Sequence, residues 1–557
     1  MKMRFLSRFS STFILFCVAS ILTSFISCAQ SKVTFSIDVQ DLIDSGYYKQ
    51  DDKIIIRGSF NDWSGMDFEL SADDNNPARY SQRFDLDVNE GEKAEYKYLL
   101  VSADDIEYWE DNPNPENPGY GNRILEVTGT EMVLPLTHFV YGKAIRGRVL
   151  PWEEKLRADF RQARVLLEEN HPALYDYSSK EFMDSLFEHY YDMIDASMDF
   201  ITFYQNLSVI MAHIGCGHTK LWMPESYWES TPDKFFPLKL IISDEMVMIS
   251  GSYTGEEIIP IGSEIIAINE KPINEIMAEL REMESSDGFI ESFKISTIQK
   301  RFPYKYAMMY GFPDQFNITY IPPDMGIPGV LGLPAMSRDH FKSVPRRGDE
   351  LSFKQIDGYD LALMTINTFS YYSEVPMFRA FIDSSFQVLV DQNIGHLIID
   401  LRGNDGGDPY CASYMFSYLQ KEAVPYFIES YHHYDTLARP IHLPDKHYKG
   451  RTYIIIDGGG FSTTGHVCGL MKYHKLVTFV GTELGATYTC TGNVMYPNLD
   501  HTRIICGTAQ GFRYTVAVEG MDPMQGVLPD RIVETSQQDI VEGRDAQMEY
   551  ILNIIKN

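Results

Sequence analysis

Hydrophobic and polar positions change their rhythm along this chain, and each rhythm predicts a different kind of element. From about residue 31 to 140 apolar and polar residues alternate in short runs. Examples are Val33-Thr34-Phe35-Ser36-Ile37, Lys53-Ile54-Ile55-Ile56-Arg57 and Glu95-Tyr96-Lys97-Tyr98-Leu99-Leu100, parted by loops rich in Gly, Pro and Asn. Short strands at this spacing predict a small β-sandwich. From about 150 to 230 the interval lengthens. Leu156, Phe160, Ala163, Leu166 and Leu167 recur at helical spacing, and residues 183–194 and 203–211 repeat that pattern. Residues 236–242 and 258–269 then read as strands, followed by a helix over 273–283. The stretch 300–350, rich in Pro, Gly and aromatics, predicts no regular element and reads as a connector. Beyond it, two apolar runs of strand length, 395–401 and 453–456, each break into a glycine-rich turn.

Those two turns are where chemistry is expected. Buried strands that end in flexible backbone are the usual place for a site in an α/β sheet. The first turn is Arg402-Gly403-Asn404-Asp405-Gly406-Gly407; the second is Asp457-Gly458-Gly459-Gly460-Phe461-Ser462-Thr463-Thr464-Gly465-His466. Ser462 stands where a helix should begin, and a helix N-terminus offers unpaired N–H groups to developing negative charge. A serine on such a turn, facing a glycine-lined loop from a neighbouring strand, suits acyl transfer. The plainer reading is that Ser462 is a helix N-cap. The Gly-x-Ser-x-Gly elbow of α/β-hydrolases is missed by one residue. His466 falls one helical turn after Ser462 and is expected to pack beneath it rather than serve as a base.

Taken with Val477-Thr478-Phe479-Val480-Gly481-Thr482-Glu483 and Gly526-Val527-Leu528-Pro529-Asp530, the two turns resemble the core of the tail-specific, or C-terminal processing, serine peptidases. The resemblance runs from roughly residue 145 to 557, with four segments in the family's order. It implies a Ser462 nucleophile, backbone oxyanion donors from Gly406 or Gly407 and from Thr463, and no metal or organic cofactor. Many members pair the serine with a lysine. Here Thr487 stands 25 residues after Ser462 in that place, and a threonine hydroxyl cannot act as a base near neutral pH. The tricorn-core-like branch uses a histidine from a preceding helical region instead. Ile214-Gly215-Cys216-Gly217-His218-Thr219 resembles that segment, which implies His218 as general base. The same branch places a glutamate before the Gly-Val-x-Pro-Asp segment. Glu519 is the nearest match for the residue that orients His218, with Asp522 as its rival.

The other regions carry their own resemblances. Gly58-Ser59-Phe60-Asn61-Asp62-Trp63, Tyr96-Lys97-Tyr98, Trp109-Glu110 and Asn122-Arg123 resemble starch- and glycogen-binding modules, which implies Trp63 and Trp109 as a sugar platform. The alternative is that both are core aromatics. Gly262-Ser263-Glu264-Ile265-Ile266-Ala267-Ile268-Asn269 resembles the strand of a PDZ domain, a fold that adds a peptide to its sheet edge. The basic Lys2, Arg4 and Arg8, the apolar run 13–25 and Ser27-Cys28 resemble a bacterial lipoprotein signal, with lipidation at Cys28 after removal of residues 1–27.

Composition narrows the functions further. The formal net charge is −30, which excludes binding to a phosphate backbone. Cys490 and Cys506 are spaced to pair across a hairpin-like segment, and Cys216 and Cys411 read as small buried side chains. His432, His433, His442 and His447 do not fit a helical metal pair and read as surface or site-rim residues.

The expectation is therefore a multidomain α/β and β protein. It has a signal (1–27), a carbohydrate-binding-like β-sandwich (28–140), a helical cap (141–232), a PDZ-like domain with connector (233–340) and a serine peptidase core (341–557). The expected protein is a lipid-anchored bacterial envelope endopeptidase acting on peptides or proteins, with glycan targeting by its N-terminal module. An inert glycan- or peptide-binding lipoprotein and an esterase are the alternatives.

Overall fold

The computed structural model describes residues 31–44, 48–49, 51–73, 76–102, 107–111, 121–140, 151–342 and 351–556. The expected lipidation site Cys28 and the signal lie outside them. The chain divides into two compact units, residues 1–149 and 150–557. Among the described residues no helix is long and apolar enough to cross a membrane.

The first unit is a nine-stranded sheet assembly. The Ser31–Asp38 strand pairs antiparallel with Asn76–Leu86, and Lys53–Gly58 pairs antiparallel with Lys93–Val101. The alternation read from sequence is the burial pattern: Val33, Phe35 and Ile37 are fully buried and pack with Ile54, Ile56, Tyr98 and Leu100. Glu110, buried, takes two bonds from the Arg123 guanidinium (2.7 and 2.9 Å) and one from the Tyr98 N–H (2.9 Å). That charge is compensated on both oxygens, as burial requires.

The second unit holds a mostly parallel six-stranded sheet. Leu361–Ile366, His396–Asp400, Arg451–Ile456, Thr478–Gly481 and Arg531–Ile532 lie parallel in that order, with Leu351–Gln355 antiparallel at one edge. The unbroken apolar runs follow from burial on both faces. Leu397, Ile399, Ile454 and Ile456 pack under the helices Val375–Asp391, Pro409–Ser417 and Thr463–Tyr473. Ile398, Tyr453 and Ile455 pack on the other face against Ile551 of the C-terminal helix. Arg402 closes the end of strand His396–Asp400, binding Asp400 (2.7 and 3.0 Å) and Asp545 (2.7 and 3.0 Å).

The stretch after residue 300 differs from its reading as a connector. A helix spans Glu291–Tyr310 and breaks at Arg301 (φ −126°, ψ 20°), two residues before Pro303. Proline removes one N–H from the helical ladder and its ring clashes with the preceding turn, which accounts for the kink. Gln315–Ile321 and Gly329–Pro334 then join Leu238–Ile242, Val247–Ser252 and Glu264–Ile268 in one six-stranded sheet.

The helical region is three helices, Trp152–Asn170, Lys180–Asp192 and Phe200–His213, whose core includes Leu499, Ile504 and Cys506 from the far end of the chain. Two devices hold them there. Lys220–Trp222 pairs antiparallel with Ile505–Gly507. Asp159, fully buried, accepts from the N–H groups of His501 (2.9 Å) and Thr502 (2.7 Å) and from the Thr502 hydroxyl (2.6 Å). The expected disulfide does not form. Cys490 and Cys506 are free buried thiols, the first beside His466 and the second in the helical core.

Asp159→Ala leaves buried donors without an acceptor. It is expected to destabilise the second unit by about 3 kcal/mol, read as a lower urea midpoint of its unfolding transition.

Candidate active site

Three loops meet at the carboxyl ends of the parallel strands. The first is the Gly-Gly turn, and Asn404 organises it. Its Nδ2 donates to the Ile366 carbonyl (2.9 Å), and its Oδ1 accepts from the Gly406 N–H (2.9 Å) and the Thr464 hydroxyl (2.8 Å). Gly406 has φ +93°, and a Cβ there would lie 2.6 Å from the Phe461 carbonyl oxygen and 2.8 Å from Ser462 Cβ. Only glycine lets the turn lie against the serine so closely.

The second loop carries Ser462. Asp457 Oδ1 binds the N–H groups of Gly403 (2.8 Å) and Gly459 (3.0 Å), which joins the two turns. Ser462 itself has φ +55° and ψ −122°, a conformation non-glycine residues rarely adopt. It precedes the helix Thr463–Tyr473, yet its side chain caps nothing. The simple N-cap reading therefore fails, and the strain is of the kind that collects at functional sites.

The third loop brings His218. Its Nε2 lies 3.1 Å from Ser462 Oγ, across 244 residues of sequence. The imidazole packs on Phe461, with ring centroids 4.5 Å apart, and Phe461 stacks in turn on Phe293 at 4.2 Å. Gly217 is required next to it, because a Cβ there would lie 2.7 Å from the Phe461 ring.

The carboxylate expected to orient the imidazole is not Glu519 or Asp522. Both are exposed, and Asp522 Oδ1 accepts instead from the Met524 N–H (2.9 Å). His218 Nδ1 is buried and makes no hydrogen bond. The carboxylate beside it is Asp287, 2% exposed, in the buried polar loop of residues 284–287. Asp287 Oδ1 accepts from the Gly217 N–H at 2.9 Å, and Oδ2 is buried without a partner. A further bond, from the Gly288 N–H to the Gly215 carbonyl (2.9 Å), fastens this loop to the histidine segment. No periodicity or motif marks Asp287 in the sequence, since Glu-Ser-Ser-Asp-Gly reads as an ordinary surface turn.

Ligand atoms of Cys216, His218 and Asp287 lie within 4.8 Å of one another, the one group among the described residues that could hold a metal ion. Cys216 Sγ is engaged with the Thr491 hydroxyl at 2.8 Å, and burial pushes its thiol up to about 11. Burial also sets the charges of the other two. It lowers His218 to about 3, with Lys220 adding to the effect, and raises Asp287 to about 7.

The expected oxyanion donors need one correction. The Gly406 N–H is already donated to Asn404, so it is not free for a substrate oxygen. Gly407 and Thr463 line the cavity at Ser462, and their N–H groups have no acceptor among the described residues. Thr487 is buried and donates to the Asp522 carbonyl at 3.3 Å, so the place of the absent lysine holds a neutral group. His466 lies buried beneath the serine turn, with Nε2 3.3 Å from Cys490 Sγ.

Two cavities flank the Ser462–His218 pair. One, of about 400 Å³, is lined by Ser462, Thr463, Gly407 and the aromatics Tyr372, Tyr434, Tyr496 and Tyr514, with His433 at its edge. The other, of about 690 Å³, shares His218 with the first and is also lined by Lys220, Lys300, Arg301, Trp222, Phe293 and Phe461. In the first unit Trp63 and Trp109 stand side by side, ring centroids 6.1 Å apart, with Trp109 36% exposed.

Comparison with known proteins bears on the fold that carries this site. Residues 360–530 match the model of Peptidase family S41. The catalytic unit is a serine peptidase. No curated protein matches the chain in sequence. Among solved structures, mature CPAF complexed with lactacystin is similar at 13% identity and a TM-score of 0.52, over 72% of this chain and 98% of that one. Mature CPAF alone gives the same identity and TM-score over 72% and 97%. The photosystem II D1 C-terminal processing protease shares 13% identity over 72% and 97%, at a TM-score of 0.39. The fold likeness to CPAF covers a larger share of the chain than the family match.

Proposed function

We propose that this chain is an envelope-anchored serine endopeptidase that works through Ser462, His218 and Asp287. The observation that carries the reading is the 3.1 Å contact between His218 Nε2 and Ser462 Oγ at a backbone-strained serine. In the proposed reaction Ser462 Oγ attacks the peptide carbonyl carbon and its proton passes to His218 Nε2. Negative charge on the carbonyl oxygen is met by the N–H groups of Gly407 and Thr463. The imidazolium, which is costly in a buried site, turns its Nδ1–H toward ionised Asp287. Collapse of the tetrahedral intermediate breaks the C–N bond, and the leaving amine takes the proton from His218. A water then attacks the acyl ester, giving its proton to His218, which returns it to Ser462.

Charge states fix the pH dependence. With His218 lowered to about 3, the imidazole is neutral and ready to accept a proton at every working pH. With Asp287 raised to about 7, its carboxyl is protonated below that pH and cannot stabilise the imidazolium. Activity should therefore rise with pH through about 7, and the limb belongs to Asp287. A fluorophosphonate probe should label wild type, not Ser462→Ala, and His218→Ala only weakly. Asp287→Asn should lower kcat/KM by roughly 10²–10⁴-fold and flatten the limb. An unlabelled wild type would leave a peptide-binding protein on a peptidase scaffold.

Two further readings rest on the first unit and the N-terminus. The paired, partly exposed Trp63 and Trp109 favour a β-sandwich that stacks sugar rings over their faces. Calorimetric titration with maltoheptaose should give heat with wild type and none with Trp63→Ala. The basic, apolar and Ser27-Cys28 run favours an anchor at Cys28 on the bacterial envelope. Labelled palmitate should enter the wild-type chain in cells and be lost in Cys28→Ala. The six-stranded sheet at 238–334 is proposed to be PDZ-like and to present peptide to the site.

A further inference from the structure

We infer that Cys216, His218 and Asp287 form a binding site for a zinc-class divalent cation, and that the bound ion switches off Ser462. The inhibitory half of the inference rests on the peptidase reading; the binding half does not.

The three side chains meet where two loops are fastened together. Cys216 and Asp287 are 3% and 2% exposed, and His218 is half-buried. One ligand atom from each lies within 4.8 Å of the other two. Ligand atoms on a tetrahedral zinc, with bonds of about 2.0–2.3 Å, stand roughly 3.3–3.8 Å apart, so movements of about 1 Å close the set. Two of the groups also bring orphan atoms. His218 Nδ1 and Asp287 Oδ2 are buried and make no hydrogen bond. Leaving both desolvated is costly, and a cation held between them offsets the cost. His218 Nε2 is engaged with Ser462, so Nδ1 is the nitrogen that coordinates. Asp287 Oδ1 is engaged with the Gly217 N–H at 2.9 Å, which leaves Oδ2 for the ion. Cys216 Sγ lies 2.8 Å from the Thr491 hydroxyl, a donor that suits a metal-bound thiolate.

The donor set selects the ion. One sulfur, one imidazole nitrogen and one carboxylate oxygen suit zinc and its neighbours, whereas magnesium and calcium need several oxygens. Thiolate and carboxylate bring two negative charges, and a divalent cation cancels them, so the buried cluster stays neutral. The thiol proton, and the carboxyl proton where Asp287 carries one, leave to solvent. An ion has a way in, because His218 and Thr491 both line the cavity of about 400 Å³ at Ser462.

Inhibition follows from the single N–H of a neutral imidazole. As a general base, His218 keeps that proton on Nδ1 and offers the Nε2 lone pair to Ser462 Oγ, 3.1 Å away. A metal on Nδ1 leaves the proton on Nε2. The Nε2–H then donates to the serine and can take no proton from it. Asp287 is engaged by the same ion and no longer meets an imidazolium. The ion thus disables the base and its charge partner without touching Ser462.

The test uses the purified full chain, treated with EDTA, dialysed and then given zinc or cobalt. Zinc should slow fluorophosphonate labelling of wild type by about 10²-fold or more, the usual contribution of a general base, and EDTA should restore it. Magnesium should not slow it. In Cys216→Ser and Cys216→Ala the zinc concentration for half-inhibition should rise by about 10- to 100-fold or more, a loss that even an outer partner of a metal brings. Cobalt on wild type should show the near-ultraviolet band of a thiolate ligand, kept in Ser462→Ala and lost in Cys216→Ser. Cys490→Ser should keep the band, so wild type and this variant decide the site even where the Cys216 variants fail to fold. Exposed His432 and His433, with Nδ1 atoms 3.4 Å apart, are the competing zinc ligands. His432→Ala/His433→Ala should leave the inhibition in place. Zinc that inhibits wild type and Cys216→Ser alike, or a wild type without the thiolate band, overturns the inference and leaves the peptidase reading standing. A wild type that holds cobalt through Cys216 but never labels keeps the metal site and overturns the peptidase reading, and the inhibition with it.

Discussion

A single hydrogen bond between a histidine on one loop and a serine on another sets the terms for the second unit of this protein. The partners lie 244 residues apart, and nothing local holds either in place. Each side is secured by hydrogen bonds that tie its backbone to neighbouring loops and strands. On the serine side, Asn404 and Asp457 tie the two glycine turns together, and Gly406 allows contact too close for any side chain. On the histidine side, the strand Lys220–Trp222 and the loop at Asp287 grip the segment from both ends. The peptidase sheet supplies a rigid floor, and the helical region supplies an arm that would have no fixed position without residues 499–509 beneath it. Reach, rather than the sheet alone, makes the site.

Much of this was legible in the chain. Continuous apolar runs ending in glycine marked the buried strands and their turns, because burial on both faces removes alternation. The helical spacing of Leu156, Phe160 and Ala163 matched their burial. Resemblance singled out Ser462 and His218, and the geometry brings them together. What sequence missed follows a common cause. Asp287 is buried by chain segments remote from it, so its short polar run carries no local sign of a low-dielectric setting. Glu519 matched a motif but points to solvent. Gly406 sits in the oxyanion motif, but its N–H is spent on Asn404. Cys490 and Cys506 were paired by spacing, whereas tertiary packing sends them to different cores.

The site is also asymmetric in a way that composition conceals. Of the two cavities that His218 lines, one carries Lys220, Lys300 and Arg301 and the other carries no lysine or arginine. The proline-induced break in helix Glu291–Tyr310 is the local cause, since an unbroken helix would carry Lys300 and Arg301 round its surface at 100° intervals. One residue's lack of an N–H thus sets where the two cationic residues just before it are placed.

The distance between histidine and serine along the chain has a consequence for biosynthesis. A ribosome adding about 5–20 residues per second needs roughly 10–50 s to travel from codon 218 to codon 462. The strand Ile505–Gly507, on which the histidine segment leans, emerges later still. Throughout translation the growing polypeptide holds an imidazole with no hydroxyl to activate, and then a hydroxyl beside an arm not yet seated. The pair can therefore form only after residue 462 has been added, and the histidine segment is seated only after Ile505–Gly507 has followed.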